Sequence, residues 1–400
     1  MLNRTLSVYK NSFTGLSRET WILSFIMLIN RSGTMVVPFM TLYLTDKGMG
    51  RSLAEAGTVM GLFGLGAIIG AYFGGRLSDK LGFHKVQLFT LFFGGVMFIV
   101  LGQVKSYPLI CLCTFILSLV NEAFRPANSS AIAYYSEPKN RTRSYSLNRL
   151  AINLGWAVGS SLGGIIASFH YELLFWVDGI TNMGAAVLLF YSLKPALKPQ
   201  HAQQKQAAAE APVSAYRDRT YLWFIVLVSL FAFCFFQLFT TIPKYFRDDM
   251  HLSERFIGFI MALNGLLIAG VEMVMIYYLE RRGNYIYYIV AGVLLCGLAY
   301  LSLMLPGNTQ LVALVMIVLI TIGEILSMPF MNTYWTARSN ERNRGQYAAL
   351  YTMAWAVAQT LGPFIFSNLI EGTSFFTAFV VMSLISLLTA IGFYTLRKMQ

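Results

Sequence analysis

Charge is scarce in this chain of 400 residues. Only 12% of them are Asp, Glu, Lys or Arg, about half the share found in soluble proteins, while 56% are hydrophobic. A soluble fold of this size needs polar groups over its whole surface, so a water-soluble enzyme is excluded. The four cysteines (Cys111, Cys113, Cys234, Cys296) all lie in apolar stretches. They are expected to be small core residues and not disulfides between water-facing segments. The four histidines (His84, His170, His201, His251) sit near expected loops without metal-ligand spacing. No G-x-x-x-x-G-K-[ST] segment occurs, so ATP has no engine here. No Ser/His/Asp set shares a depth, which argues against an intramembrane enzyme. No metal, cofactor or catalytic residue is therefore expected. No cleavable signal is expected either: residues 1–20 are polar and basic, and a full-length apolar span follows.

What the chain has instead is long apolar runs. A bilayer core about 30 Å thick needs roughly 20 apolar residues per helix. Windows of that size place twelve spans at 20–45, 55–78, 86–104, 108–134, 144–169, 173–193, 221–246, 255–279, 285–305, 310–336, 346–370 and 374–396. The expected fold is an all-α integral membrane protein, with six helices in 1–193 and six in 220–400. Residues 194–219, rich in Gln, Ala, Lys and Pro, have the composition of a linker between them.

The net charge of +12 follows topology, not a nucleic-acid footprint. Three arginines (Arg31, Arg125, Arg149) fall inside spans. Lys47, Arg51, Lys105, Lys244, Arg247 and Arg255 lie at one membrane face, and all other lysines and arginines at the opposite one. The positive-inside rule puts that basic face, both termini and the linker in the cytoplasm. A bacterial inner membrane is the expected location.

The two halves repeat each other at an offset of 201–203 residues. Gly57 meets Gly258 and Met60 meets Met261. Asp79 and Gly82 meet Glu280 and Gly283. Glu122 meets Glu324, and Pro126 meets Pro329. Ser136, Asn140 and Arg141 meet Ser339, Asn343 and Arg344, Ala151 meets Ala354, and Gly159-Ser160 meets Gly362-Pro363. Parallel six-helix repeats with a site between them at the midplane are a transporter arrangement. No filter-like segment suggests an ion channel.

After the second span the chain reads Gly75-Arg76-Leu77-Ser78-Asp79-Lys80-Leu81-Gly82-Phe83-His84-Lys85. This resembles the major facilitator signature G-x-L-x-D-x-x-G-x-x-[RK] at every fixed position. The resemblance implies a twelve-helix transporter in which Gly75, Asp79, Gly82 and Lys85 form a conformational latch between halves. In physical terms, glycines permit a tight turn at the membrane face, and an aspartate near a helix N-terminus is stabilised by the helix dipole. Arg76, Lys80 and Lys85 suit anionic headgroups. The fifth span carries Gly155-x-x-x-Gly159-Ser160-x-x-Gly163-Gly164, similar to the glycine-rich motif of drug–proton antiporters except that Ser160 replaces its proline. Close helix packing alone also explains these glycines. Phe124-Arg125-Pro126-Ala127-Asn128-Ser129, Ala151-Ile152-Asn153-Leu154-Gly155 and Gly323-Glu324 through Pro329 resemble proton-coupled oligopeptide transporters instead. The first span keeps only Arg31 of that family's Glu-x-x-Glu-Arg motif.

Ionisable groups at membrane depth cost several kcal/mol unless paired or hydrated, so each is a functional candidate. Arg31 lies mid-span. Glu122 and Arg125 are three apart on one face and able to pair. Arg149, Asn153 and Trp156 make a polar–aromatic stripe on the fifth span, and Glu324 and Asn332 lie on the tenth. Static pairing of Glu122 with Arg125 or Arg149 is the plain alternative. Glu324 has no arginine of its own half at its depth, so it is the first candidate for a proton or a substrate amine, with Glu122 second. Arg31, Arg125 and Arg149 would face an anionic substrate group. Glu272 is expected to snorkel or to pair with Arg281 or Arg282, and Asp178 to be interfacial. Gln237, Asn264, Trp355 and Gln359 either line a cavity or serve as polar glue between helices.

The expected function is secondary transport of small organic molecules by alternating access, coupled to protons, with export by antiport favoured. Proton symport of peptides or amino-acid-like substrates is the alternative. A non-transporting receptor or scaffold is the alternative of a different class. The expected partners are the substrate, protons and the lipid bilayer, without nucleic acid, and the chain is expected to act as a monomer.

Overall fold

The computed structural model describes residues 10–45, 49–193, 214–283 and 285–397. Most of the expected linker lies outside the described residues, as do Arg4, Lys47, Lys194, Lys198, Lys205, His201, Lys398 and the side chain of Ser160. The first half contains α1 (Arg18–Ser32), α2 (Val36–Thr45), α3 (Leu53–Leu81), α4 (Phe83–Gln103), α5 (Tyr107–Glu122), α6 (Phe124–Tyr135), α7 (Arg141–Phe169) and α8 (Glu172–Ser192). The second contains α9 (Arg219–Phe235), α10 (Thr241–Asp248), α11 (Glu254–Leu279), α12 (Tyr285–Ser302), α13 (Thr309–Arg338), α14 (Arg344–Gly372) and α15 (Phe375–Leu396). Among the described residues, 11 helical stretches are long and apolar enough to cross a membrane. The remaining span of the twelve is the broken pair α1–α2.

Three expected spans are interrupted, for identifiable reasons. In the first, Asp178 of α8 accepts hydrogen bonds from the backbone N–H groups of Met35 (3.0 Å) and Val36 (2.7 Å), capping the start of α2. One turn further, Asn182 donates to the Gly33 carbonyl and accepts from Asn30. A side chain at Gly33 would lie 1.8 Å from the Thr181 hydroxyl, so glycine is needed where α8 meets the break. Asp178, expected at the interface, is fully buried in the protein, its carboxyl oxygens accepting from two N–H donors at a helix N-terminus. In the seventh span a 3-10 turn, Phe236–Phe239, separates α9 from α10. There Gln237 donates to the Phe233 carbonyl and accepts from the Thr241 hydroxyl at 2.6 Å. The two breaks occupy equivalent positions of the repeat. In the fourth span the helix is interrupted at Ala123, where Pro126 has no N–H to bond the carbonyl four residues earlier.

The signature segment is helical up to Leu81, not a loop; only Gly82, with φ +89°, makes the turn. Gly283, its repeat equivalent, has φ +69°. Gly75 serves packing: a Cβ there would lie 2.2 Å from the Gly345 carbonyl oxygen of α14. This α3–α14 seam continues to Gly64, where a Cβ would meet Thr360. From Gly75 to Gly64 the seam is about 16 Å long at 1.5 Å per residue. Beyond it, Gly57 and Gly61 of α3 and Gly258 and Gly265 of α11 have nothing nearby. The halves touch along this seam on the basic side of the membrane.

Two equivalent contacts close the basic side. α7 and α14 start after Asn140 and Asn343, with nearly identical backbone angles and no capping hydrogen bond to the helix from the side chain of either. The missing caps come from the opposite half. Asp79 accepts from the N–H groups of Gly345 (2.6 Å) and Gln346 (2.9 Å), and Glu280 accepts from the Thr142 N–H (2.8 Å) and the Arg143 guanidinium (3.0 Å). Thr142 and Thr333 add a hydroxyl pair at 2.7 Å across the same interface. Beside the first contact, Arg76 lies over the rings of Tyr72 and Tyr216. Lys85 is exposed at the start of α4.

A helix cap is worth about 1–2 kcal/mol. Asp79→Ala should therefore shift the closed state toward opening roughly tenfold. Thr333→Cys, in a chain whose native cysteines are replaced by alanine, should then react correspondingly faster with a water-soluble thiol reagent. Unchanged labelling would show that the contact does not hold the halves together.

Candidate substrate and proton site

Two charge clusters lie at mid-depth, one in the first half and one spanning both. α5 and α6 meet at the break that sets Glu122 and Arg125 side by side, 3.2 Å apart. Glu122 also faces Arg31, at the end of α1, at 3.9 Å. The expected Glu122–Arg125 pair is present, and Glu122 pairs with Arg31 and not with Arg149. Below it Asn128 is buried in an amide chain, accepting from Gln87 and donating to Asn148 at 3.1 Å each. It packs the first half and is not open to a ligand.

The second cluster brings together residues whose partners were expected elsewhere. Arg149 of α7 reaches across the interface and lies 2.7 Å from Glu272 of α11 and 3.4 Å from Glu324 of α13. It also donates to the Glu324 backbone carbonyl at 3.3 Å. Glu272 therefore neither snorkels nor pairs with Arg281 or Arg282; Arg281 instead bonds and overlies Tyr277. Glu324 is not unpaired: its arginine comes from the other half, which a search within the second half misses. Asn264 of α11 donates to Glu324 at 3.2 Å and to Thr321 at 2.9 Å, placing it in the site. Both carboxylates are almost fully buried.

The remaining candidates divide. The Asn153 side-chain N–H₂ is buried without a hydrogen-bond partner among the described residues. Trp156, one turn further along α7, is half-buried. Trp355 packs in an aromatic group with Phe231, Phe235, Phe236 and Tyr351, and Gln359 is exposed where α14 leaves the seam. Asn332, partly buried, donates to Met328 and accepts from Trp335 within its own helix. Gln237 holds the α9–α10 break and is structural. Outside the spans, Asp218 receives hydrogen bonds from Arg338, Tyr347 and the Tyr221 N–H. Burial pushes its carboxyl up, but these donors outweigh it and hold it below the usual carboxylate range.

The sequence description of the Major Facilitator Superfamily matches residues 20–363. The chain belongs to the Major Facilitator Superfamily. It is 21% identical over 378 residues to the uncharacterized MFS-type transporter YqjV of Bacillus subtilis (strain 168), covering 93% of this chain and 91% of that protein. It is 22% identical to a Na(+), Li(+), K(+)/H(+) antiporter of Planococcus maritimus, over 84% of this chain and 85% of that protein. The crystal structure of the human organic anion transporter MFSD10 (TETRAN) superposes with a TM-score of 0.77 at 17% identity, covering 94% of this chain and 100% of that one. As a superfamily member the chain is an integral membrane transporter and not an enzyme, and its twelve spans form the two-domain fold expected from the repeat.

Removing one member of a buried ion pair costs about 3–5 kcal/mol, because the other is left uncompensated. Arg149→Met should lower the thermal unfolding temperature sharply in detergent, and adding Glu272→Gln and Glu324→Gln should restore much of the loss. Equal destabilisation with and without the glutamine changes would show that the three side chains do not interact.

Proposed function

We propose that this transporter is proton-coupled and exports small organic molecules by antiport, with Glu324 as the proton carrier. The observation that carries this reading is the sharing of Arg149 by two carboxylates of the opposite half. One guanidinium neutralises one carboxylate. The second adds a negative charge in a dry, low-dielectric space, and a single proton on the pair removes it. Glu272 lies closer to Arg149, so Glu324, held by the longer contact and by Asn264, is the group that gives up and regains the proton. An asparagine amide suits that exchange, since it donates to a carboxylate and accepts from a carboxylic acid. Arg149 reaches its partners only while the basic side is closed, so protonation and closure are linked. The antiporter among the relatives is consistent with coupling by exchange.

The 1–193 and 220–400 halves rock about this midplane site, with Asp79 and Glu280 as paired latches. The excess of lysine and arginine at the latched face supports a cytoplasmic position for that face and both termini, in a bacterial inner membrane. A monomer contains every group this cycle uses.

Proteoliposomes holding a luminal pH dye test the proposal. Adding zwitterionic organic compounds outside should alkalinise the lumen as protons leave in exchange. Glu324→Gln should abolish this proton flux while leaving substrate counterflow intact. Full proton-driven transport by Glu324→Gln would overturn the assignment, and luminal acidification on adding di- or tripeptides would replace antiport with symport.

A further inference from the structure

The first-half cluster carries the opposite imbalance. Arg31 and Arg125 face a single carboxylate, Glu122. Arg31 is buried at 6% exposure. Among the described residues it meets only that carboxylate, at 3.9 Å, beyond hydrogen-bond length. Arg125 donates one hydrogen bond to Glu122, through a single terminal nitrogen. Its side chain is 34% exposed, against 7% for Arg31 and 13% for Arg149. Arg125 is therefore the intramembrane arginine open to a ligand, and its other two nitrogens form an edge suited to a planar oxyanion. Arg149, expected to share this task, is committed to Glu272 and Glu324.

We infer that the Arg125 guanidinium, backed by Arg31, is the receptor for a carboxylate group on the transported molecule. The inference rests on the transporter reading of the same midplane site and narrows its substrates to organic carboxylates and zwitterions. Two cations sharing one anion at membrane depth leave a net positive charge that a substrate carboxylate neutralises, which gives the site its selectivity. A purely cationic molecule gains nothing there and is repelled. Glu122 is the internal competitor: it occupies part of the Arg125 fork when the site is empty. Arg31 acts through Glu122 as a positioning residue, drawing that carboxylate back from Arg125.

The test is binding to the purified full-length protein, by calorimetry, of three compounds of similar shape: hippurate, its neutral amide, and benzyltrimethylammonium. Hippurate should bind about tenfold or more tightly than its amide. Arg125→Gln should erase that preference and Arg125→Lys should recover part of it. Glu122→Gln should tighten hippurate binding, because it frees the guanidinium of its competitor, an effect that a merely structural role for Glu122 would not produce. Failure of hippurate to bind, equal binding by Arg125→Gln, or preference for the cation would each overturn the inference. Proton flux that depends on Glu324 but ignores Arg125 substitutions would leave the transporter reading standing and remove only the carboxylate receptor.

Discussion

A charge held at membrane depth must find its counter-charge inside the protein, and the whole architecture here is arranged around that requirement. The bilayer offers no water to solvate Arg31, Arg125, Arg149, Glu122, Glu272 or Glu324. Each therefore lies where another helix brings it a partner. The first-half cluster depends on two irregularities: the α1–α2 break, fixed by Asp178 and Asn182, and the interruption at Ala123, which sets Glu122 beside Arg125. The second cluster depends on the approach of the two halves, since among the described residues Arg149 has no acidic partner on its own side.

That dependence gives the molecule two linked switches. At the membrane surface, each half lends an acid to cap a helix of the other, Asp79 on α14 and Glu280 on α7. In the interior, Arg149 crosses the same divide. Separating the halves on the basic side breaks all of these contacts together, leaving helix N-termini uncapped at the surface and an arginine and two carboxylates to be hydrated at depth. Water entering the opened side offsets part of that cost. In the proposed coupling, loss of the proton from the carboxylate pair favours opening further, because the closed cluster then carries an unbalanced negative charge. The same pattern on both sides of the pseudo-twofold explains why the repeat preserves an acid, a positive-φ glycine and an asparagine at matching positions.

Much of this was legible in the sequence. Hydropathy and the offset repeat sufficed for the span count, because a bilayer leaves a helix few alternatives. Glu122 with Arg125 followed from helical spacing. Cross-half partners were harder to see. Glu272 and Glu324 could not be joined to Arg149 by periodicity, since contacts across an interface between repeats leave no trace along either strand of sequence. Asp178 was legible in principle: a carboxylate within an apolar span is expensive wherever it falls, and placing it at the interface overlooked that cost. Breaks in the first and seventh spans gave little warning, because an apolar run looks continuous whether or not another helix caps its interior. Gln237 and Asn332 show why polar residues in a span are ambiguous in sequence, since such a side chain is as able to bond its own backbone as to face a ligand.

The central claim is that one proton on the Glu272–Glu324 pair favours closure of the basic side. The most direct measurement is the distance between spin labels at Lys139→Cys and Glu341→Cys, exposed positions on opposite halves of that side, as a function of pH in lipid nanodiscs. The short distance should predominate at acidic pH and give way to a longer one as pH rises. In Glu324→Gln, where the cluster stays neutral, the short distance should persist throughout. A distance distribution that ignores pH in the unmodified cluster, or one that responds identically in Glu324→Gln, would contradict the account.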